Sequence, residues 1–386
     1  MRYQLRYVRM GRNGREAGLD RIGTISDRVR GTQMRGSPVS RRAEGPAGHH
    51  GAMPAPHARF GDMWAHDVEA VEQDLAALQG GGRWAVVVPY DGRPTAIRFR
   101  TWEQRAARGY EASTWAGPAA GDWESSMDEA AYCAAVETTR ERIARGDLYQ
   151  ANICRILRAP VSAGAQVGGL FDVLRRGNPA PYAACIDAPG VQVASASPEL
   201  FLRRRGDLLL SSPIKGTGRT PADLLEKDEA ENIMIVDLVR NDLSRVCRTG
   251  TVEVPSLLRQ EVHPGLVHLV SDVTGRLDAG VTWPAILDAA FPPGSVTGAP
   301  KSRALRLIAE LEPASRHVYC GAIGWIDADR QEAELAVAIR TFWIADGMLH
   351  FGTGAGITWG SDPVAEWEET ELKAARLIAL ASGGAG

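Results

Sequence analysis

Only four of the 44 basic residues in this 386-residue chain are lysine: Lys215, Lys227, Lys301 and Lys373. Arginine serves almost wherever positive charge is needed. A lysine in a glycine-rich segment therefore raises the question of what an amine does that a guanidinium cannot, which is to lose its proton and attack an electrophile. Long apolar runs are also missing. No stretch approaches the roughly 18 residues of a membrane span, which predicts a soluble chain with no membrane partner. The five cysteines, Cys133, Cys154, Cys185, Cys247 and Cys320, form no Cys-x-x-Cys pair, and no histidine stands at zinc-finger spacing. Their odd number and scatter exclude a disulfide framework and suit the reduced thiols of a cytoplasmic protein. Strong charge of one sign is lacking as well. A net charge of −3 argues against a general nucleic-acid binder, leaving small molecules as the expected clients. With 44% hydrophobic and 24% charged residues, the chain as a whole is not disordered.

What charge there is lies unevenly. Residues 1–58 hold eleven Arg against four acids, leaving about −10 for the rest. That first stretch is rich in Arg, Gly, Ser and Pro, has no apolar periodicity and predicts a basic, disordered extension. It is at most a weak organelle-targeting signal, and initiation at Met53 or Met63 is an equal reading. Residues 59–127 are expected to form the N-terminal part of the fold and 128–386 its catalytic domain. From 59 onward short β-type runs (84–90, 94–102, 149–160, 182–188, 191–197, 199–213, 319–328, 334–357) alternate with helical patterns. Helices are expected over 128–146, 223–247, 282–290, 300–311 and 363–382. The result is an α/β protein with mixed or antiparallel sheets and outer helices.

Two helices carry acids on the wrong face. At 100° per residue, Asp228 and Glu231 share a side with Ile235, Leu238, Val239 and Val246, while Asp237, Arg240, Asn241 and Ser244 take the other. Glu366 and Glu369 similarly align with Leu377 and Leu380, behind a Ser361-Asp362-Pro363 helix start. Inward carboxylates need a partner. Four oxygen donors suit Mg²⁺; pairing with Arg or capping of neighbouring elements is the equal alternative. The segment Ser211–Thr220 ("SSPIKGTGRT") reads as a loop in which glycines let backbone amides approach an anion beside Lys215, or as a loop with a solvated lysine. It contains no Walker motif. "FPPGSVTGAPKSRA" (291–304) and "HFGTGAGITWG" are further glycine-rich turns, for which structural roles are the plain reading.

These segments together resemble the chorismate-utilising enzymes. From about Asp128 to the C-terminus, "SASPELFL", "PIKGT", "EKDEAENIMIVDLVRNDLSRV", "VHLVSDVTG", "FPPGSVTGAPKSRA", "YCGAIGW", "AVAIRT", "GAGI" and "SDPVAEWEETELKA" occur in that family's order. The resemblance implies the anthranilate synthase component I-like α/β fold: two large packed β-sheets, outer helices and a central cleft. Lys215 in Pro-Ile-Lys-Gly-Thr and Gln150, standing where water-activating relatives carry a lysine, imply the aminodeoxychorismate synthase component I branch. That branch makes 4-amino-4-deoxychorismate from chorismate and ammonia for p-aminobenzoate and folate. An anthranilate or 2-amino-2-deoxyisochorismate synthase of secondary metabolism is the alternative. A non-catalytic relative that binds an amidotransferase is a third reading, disfavoured because the catalytic set is present.

By the same resemblance Lys215 attacks ring carbon 2 covalently, for which the amine must be neutral, and Glu199 protonates the departing hydroxyl. His268 handles a proton near the reacting carbon, or is a buried hydrogen-bonding residue. Glu231 and Glu369 match direct Mg²⁺ ligands and Asp228 and Glu366 water-mediated ones. Tyr319 and Arg340, with the amides of Gly354 and Gly356, match the holders of the enolpyruvyl carboxylate, and Gly216 and Thr217 line the ring pocket. Lys301 reads equally as a structural pair or a substrate contact. Trp359 and Gly360 depart from the common pattern at the cleft mouth. No tryptophan-binding Leu-Leu-Glu-Ser element, glutaminase elbow or pyridoxal-dependent lyase is visible. Ammonia is therefore expected from a separate glutamine amidotransferase subunit or from solution, and the product passes to a separate lyase.

Overall fold

The computed structural model describes residues 55–105, 115–218, 220–224, 226–263 and 266–383. Residues 1–54, with the expected basic extension and the Met53 start, lie outside them. Residues 53–386 form one compact unit.

The described strands are hydrogen-bonded into one antiparallel sheet. Its first half holds β1 (His57–Phe60), β5 (Glu124–Ser125), β6 (Gln150–Pro160), β7 (Tyr182–Ala188), β8 (Val191–Ser197), β14 (Gly298–Ala299), β17 (Thr341–Ala345) and β18 (Met348–Ile357). They are laddered from β5 and β14 through β6, β18, β17, β8 and β7 to β1. The second half holds β2 (Met63–Glu72), β3 (Arg83–Val88), β4 (Thr95–Gln104), β9 (Leu200–Arg205), β10 (Leu208–Ser212), β11 (Ile214–Gly218), β12 (Glu253–His263), β13 (Leu266–Arg276), β15 (Ala322–Asp327) and β16 (Glu332–Val337). The order there runs from β2 through β4, β3, β15, β16, β9 and β10 to β13, with β11 continuing β10 along one side of β13 and β12 on the other. The two packed halves implied by the resemblance are thus joined edge to edge where β1 pairs with β2.

The halves bury their inner faces against each other. Cys154 and Ile156 of β6, Ile186 of β7 and Val193 of β8 share one core with Val86, Leu202, Leu209 and Ile323. The opposite face of β6 is also covered, because Ala151 and Ile153 pack with Tyr132, Val136, Leu307 and Ile308 of the outer helices. Burial on both faces leaves every residue of "QANICRIL" buried, with no alternation between core and solvent.

The helices are α1 (Glu129–Ala144), α2 (Val167–Gly177), α3 (Glu226–Ser244), α4 (Trp283–Ala290), α5 (Lys301–Leu311) and α6 (Pro363–Ala381). Asp128 caps α1 by accepting from the Ala131 amide, and Asp362 caps α6 by accepting from Val364 and Ala365, with Pro363 in the first turn. Five of the six match the sequence expectation. The exception is α2, whose Gly168-Gly169 start hides it although Leu170, Phe171 and Leu174 are fully buried. The segment around Lys215 departs in the other direction: expected as a loop, 214–218 forms β11. The register against β13 shifts between Lys215 and Thr217, at Gly216 with φ 74°.

A buried ion pair braces β6. Arg316, 1% exposed, donates to Glu312 at 2.8 and 2.6 Å, to the Val296 carbonyl at 2.8 Å and to the Asn152 carbonyl at 2.6 Å. Glu312 in turn accepts from the Cys154 amide. Replacing Arg316 with Met leaves that carboxylate buried without its partner, and is expected to destabilise the fold by about 3–5 kcal/mol at pH 8. Burial already pushes Glu312 above the ordinary carboxylate range and Arg316 opposes it. Without the arginine Glu312 takes up a proton more readily, so the loss shrinks as pH is lowered towards 5. Urea midpoints at the two pH values check this; an unchanged midpoint contradicts it.

Candidate active site

Lys215 is presented by β11 into a cleft bounded by β6, β18 and α3. Its Nζ lies 3.7 Å from Glu231 Oε2, and Gln150 donates from Nε2 to that same oxygen at 3.0 Å. Gly356 closes the group from β18. A Cβ there would stand 3.2 Å from Lys215 Nζ and 2.5 Å from Gln150 Nε2, so a side chain at this position would push both polar ends aside. Gly216 is required, since a Cβ on it would meet the Asp228 Cβ at 2.8 Å. Thr217 follows in β11, paired in register with the buried His268 of β13.

The face assignment of the acidic helix holds. Asp228 and Glu231 are half-buried and Ile235 is fully buried, while Asp237, Arg240, Asn241 and Ser244 are exposed. On α6 Glu366 is buried and Glu369 half-buried. Burial pushes Glu366 up, with the adjacent Glu369 charge adding to the effect. Glu369 is held below its usual range, against burial, by Lys373 at 2.5 Å and by the charges of Lys227 and Lys215. Lys215 therefore feels Glu231 from α3 and Glu369 from α6. The four candidate donors are all carboxylates, and Glu369 repels Glu366, a donor set that fits a hard cation such as Mg²⁺. In this structure lysines balance them, and among the described residues no group of three or more His, Cys, Asp or Glu is drawn into a metal-holding cluster.

Glu199 precedes β9 and is 4% exposed. Burial lifts its carboxyl to about 7, against the opposing effects of a Ser295 hydrogen bond, the Lys215 charge and the Ile214 amide. An acid with that value is suited to giving up a proton near neutral pH. Ser295 is a residue the sequence reading missed. It lay inside the quoted "FPPGSVTGAPK" turn, but its contact with Glu199 is made only by the fold. Gln150, expected only as a marker of the branch, also bonds Glu231 beside Lys215.

Arg340, between β16 and β17, has φ 51°, and burial lowers its guanidinium below the usual range. Among the described residues its side chain has no hydrogen bond or ion pair, leaving a desolvated cation that a carboxylate would satisfy. Tyr319 is buried, its ring packed against Gly352, and burial holds its phenol well above the usual range, keeping it a neutral donor. Opposite Gly354 and Gly356 on β6, Cys154 and Asn152 give their amides to Glu312 and Thr297 instead of to β18. The two glycines accordingly turn their own amides to the far edge, where Lys373 already bonds the Gly354 carbonyl at 3.1 Å. Lys301 is not part of this group: it donates to Asp242 at 2.6 Å and to the Ala290 carbonyl at 2.9 Å, the structural-pair alternative. Trp359 is exposed, with Arg140 over its ring.

A lysine amine beside paired helix-borne acids, with a carboxyl raised to about 7 nearby, sits in an α/β protein built on a folded-over antiparallel sheet. The sequence profile of the chorismate binding enzymes matches residues 87–379, and the chain belongs to that family. Over 268 residues it is 41% identical to anthranilate synthase component 1 1 of Haloarcula marismortui, covering 66% of this chain and 54% of the relative. Over 267 residues it is 37% identical to aminodeoxychorismate synthase component 1 of Bacillus subtilis, covering 66% and 56%. The chain thus spans about half the length of the curated relatives it matches. It superposes on anthranilate synthase component I of Streptococcus pneumoniae with a TM-score of 0.71 at 25% identity, covering 86% of this chain and 95% of that one. The menaquinone-specific isochorismate synthase of Escherichia coli shares the fold with a TM-score of 0.73 at 19% identity, covering 86% and 90%. Among the described residues no helix is long and apolar enough to cross a membrane.

Proposed function

We propose that this chain aminates chorismate at ring carbon 4, as an aminodeoxychorismate synthase component I. The observation that carries the reading is the Lys215 amine inside the cleft, 3.7 Å from Glu231 and against Gly356, with Gln150 in place of a second basic group. Arg340 and Tyr319 take the enolpyruvyl carboxylate, aided by the Gly354 and Gly356 amides. Deprotonated Lys215 forms a C–N bond at carbon 2, the ring double bond shifts, and the carbon 4–oxygen bond breaks as Glu199 protonates the hydroxyl, releasing water. Ammonia then bonds to carbon 4, the double bond shifts back and Lys215 departs. Glu231 and Glu369, with Asp228 and Glu366 behind them, would hold Mg²⁺, which supplies charge neutralisation for the ring carboxylate. The ammonia comes from a separate glutamine amidotransferase subunit.

The relatives named anthranilate synthase, at up to 41% identity, favour a second reading in which the amine enters at carbon 2 and pyruvate is lost. Incubating the purified chain with chorismate, Mg²⁺ and excess ammonium, and identifying the product by mass and retention, separates the two. An aminated product that keeps its enolpyruvyl group is expected; anthranilate establishes the second reading instead.

A further inference from the structure

Behind Glu199, on the side of β9 and β10 facing α3, lies a small cavity of about 20 Å³, enough room for a water molecule. Four polar side chains reach it, Glu199, Ser211, Asp242 and Ser295, and the rest of its wall includes Val239 and Leu243. Each of the four is less than 9% exposed. A water here has the two to four polar partners that a buried water needs. Asp242 stands at the outer end, its carboxylate 2.6 Å from Lys301 Nζ of α5. Lys301 is partly exposed, and Arg245, just past the end of α3, faces the solvent. The cavity therefore lies between two buried carboxyl groups, Glu199 on the Lys215 side and Asp242 beside the partly exposed Lys301.

We propose that Asp242 is a proton-relay residue, returning a proton to Glu199 through this cavity while the cleft is still occupied. The inference rests on the amination reading. In that reaction Glu199 gives its proton to the departing hydroxide, and the new amine leaves protonated at neutral pH, so the proton is not returned from the product. Substrate fills the front of the cleft during the step, which leaves the back as the way in. Asp242 passes its proton to the cavity water, that water passes one to the Glu199 carboxylate, and Asp242 is recharged from solvent. Charges facing the pair are Lys215 for Glu199, and Lys301 and Arg245 for Asp242. Burial raises Asp242 above the usual carboxylate range although Lys301 and Arg245 oppose it, so it takes up a proton more readily than an exposed acid.

The test compares pH profiles of chorismate turnover for the wild type, Asp242→Asn, Ser211→Val and Lys301→Met. Asp242→Asn is expected to lower kcat about tenfold, with KM for chorismate within twofold, the deficit growing as pH rises above 7 and protons become scarce. Ser211→Val fills the cavity without touching the ion pair and is expected to give the same alkaline-steepened deficit. Lys301→Met breaks the pair yet keeps the carboxyl, and turnover should persist. Equal, pH-independent losses in Asp242→Asn and Lys301→Met would reduce the pair to a brace and overturn the relay. Normal kcat in Asp242→Asn or Ser211→Val overturns it too. If Asp242→Asn fails to fold, Ser211→Val alone decides by the same criterion. A wild type that leaves chorismate untouched refutes the amination reading itself, and with it the relay's premise.

Discussion

Lys215→Ala is expected to lower formation of the carbon 4 amine by on the order of a hundredfold or more, the scale of removing a reacting group. The fold should be little affected, since Lys215 is only partly buried and its ion pair with Glu231 is replaced by the Gln150 hydrogen bond that Glu231 already accepts. Binding of chorismate should survive too, because Arg340, Tyr319 and the glycine amides are untouched. The loss therefore falls on kcat rather than KM. Trapping adds a second readout: rapid quenching of the wild type followed by intact-mass measurement should show an adduct that the alanine variant lacks. Product formation indifferent to Lys215 would remove the covalent step.

The chemistry was legible in the sequence to different depths. Helical periodicity placed Asp228, Glu231, Glu366 and Glu369 facing inward, and the structure finds them so, because a 3.6-residue repeat over nineteen residues of α3 leaves little freedom about which side is buried. Scarcity of lysine pointed to Lys215, yet the glycines around it suggested a loop. Pairing with β13 overrides that local tendency, and Gly216 serves as the bulge that turns the strand past Asp228. The strands β1, β2, β12 and β13 escaped the segment reading, because their order comes from the ladders they form with one another and with β4, β7, β10 and β11. Contacts between residues 96 positions apart, such as Ser295 on Glu199, or 31 apart, such as Asp242 across the cavity from Ser211, belong to tertiary structure alone. Lys301 shows the limit of motif reading: its motif is intact, but its amine is committed to Asp242.

Glu199→Gln is expected to lower kcat by about a hundredfold to ten-thousandfold and to change the shape of the pH profile. The carboxyl donates only when protonated. With its value raised to about 7, the wild type should lose activity as pH rises through 7, and that limb should vanish from the glutamine variant. A limb that persists in Glu199→Gln belongs to another group and removes Glu199 from the acid's role. Stability supplies an independent check with the opposite sign. A carboxyl whose value is higher in the folded than in the unfolded chain binds protons more tightly when folded, so folding weakens as pH rises from about 4.5 to about 7. Above 7 the buried carboxylate is a standing penalty of up to about 3 kcal/mol. The glutamine variant escapes it, so it should be the more stable protein at pH 8 and no more stable at pH 4, as read from urea midpoints. In the proposed reaction that buried proton is the one given to the departing hydroxyl, which accounts for a carboxyl kept at a cost in stability.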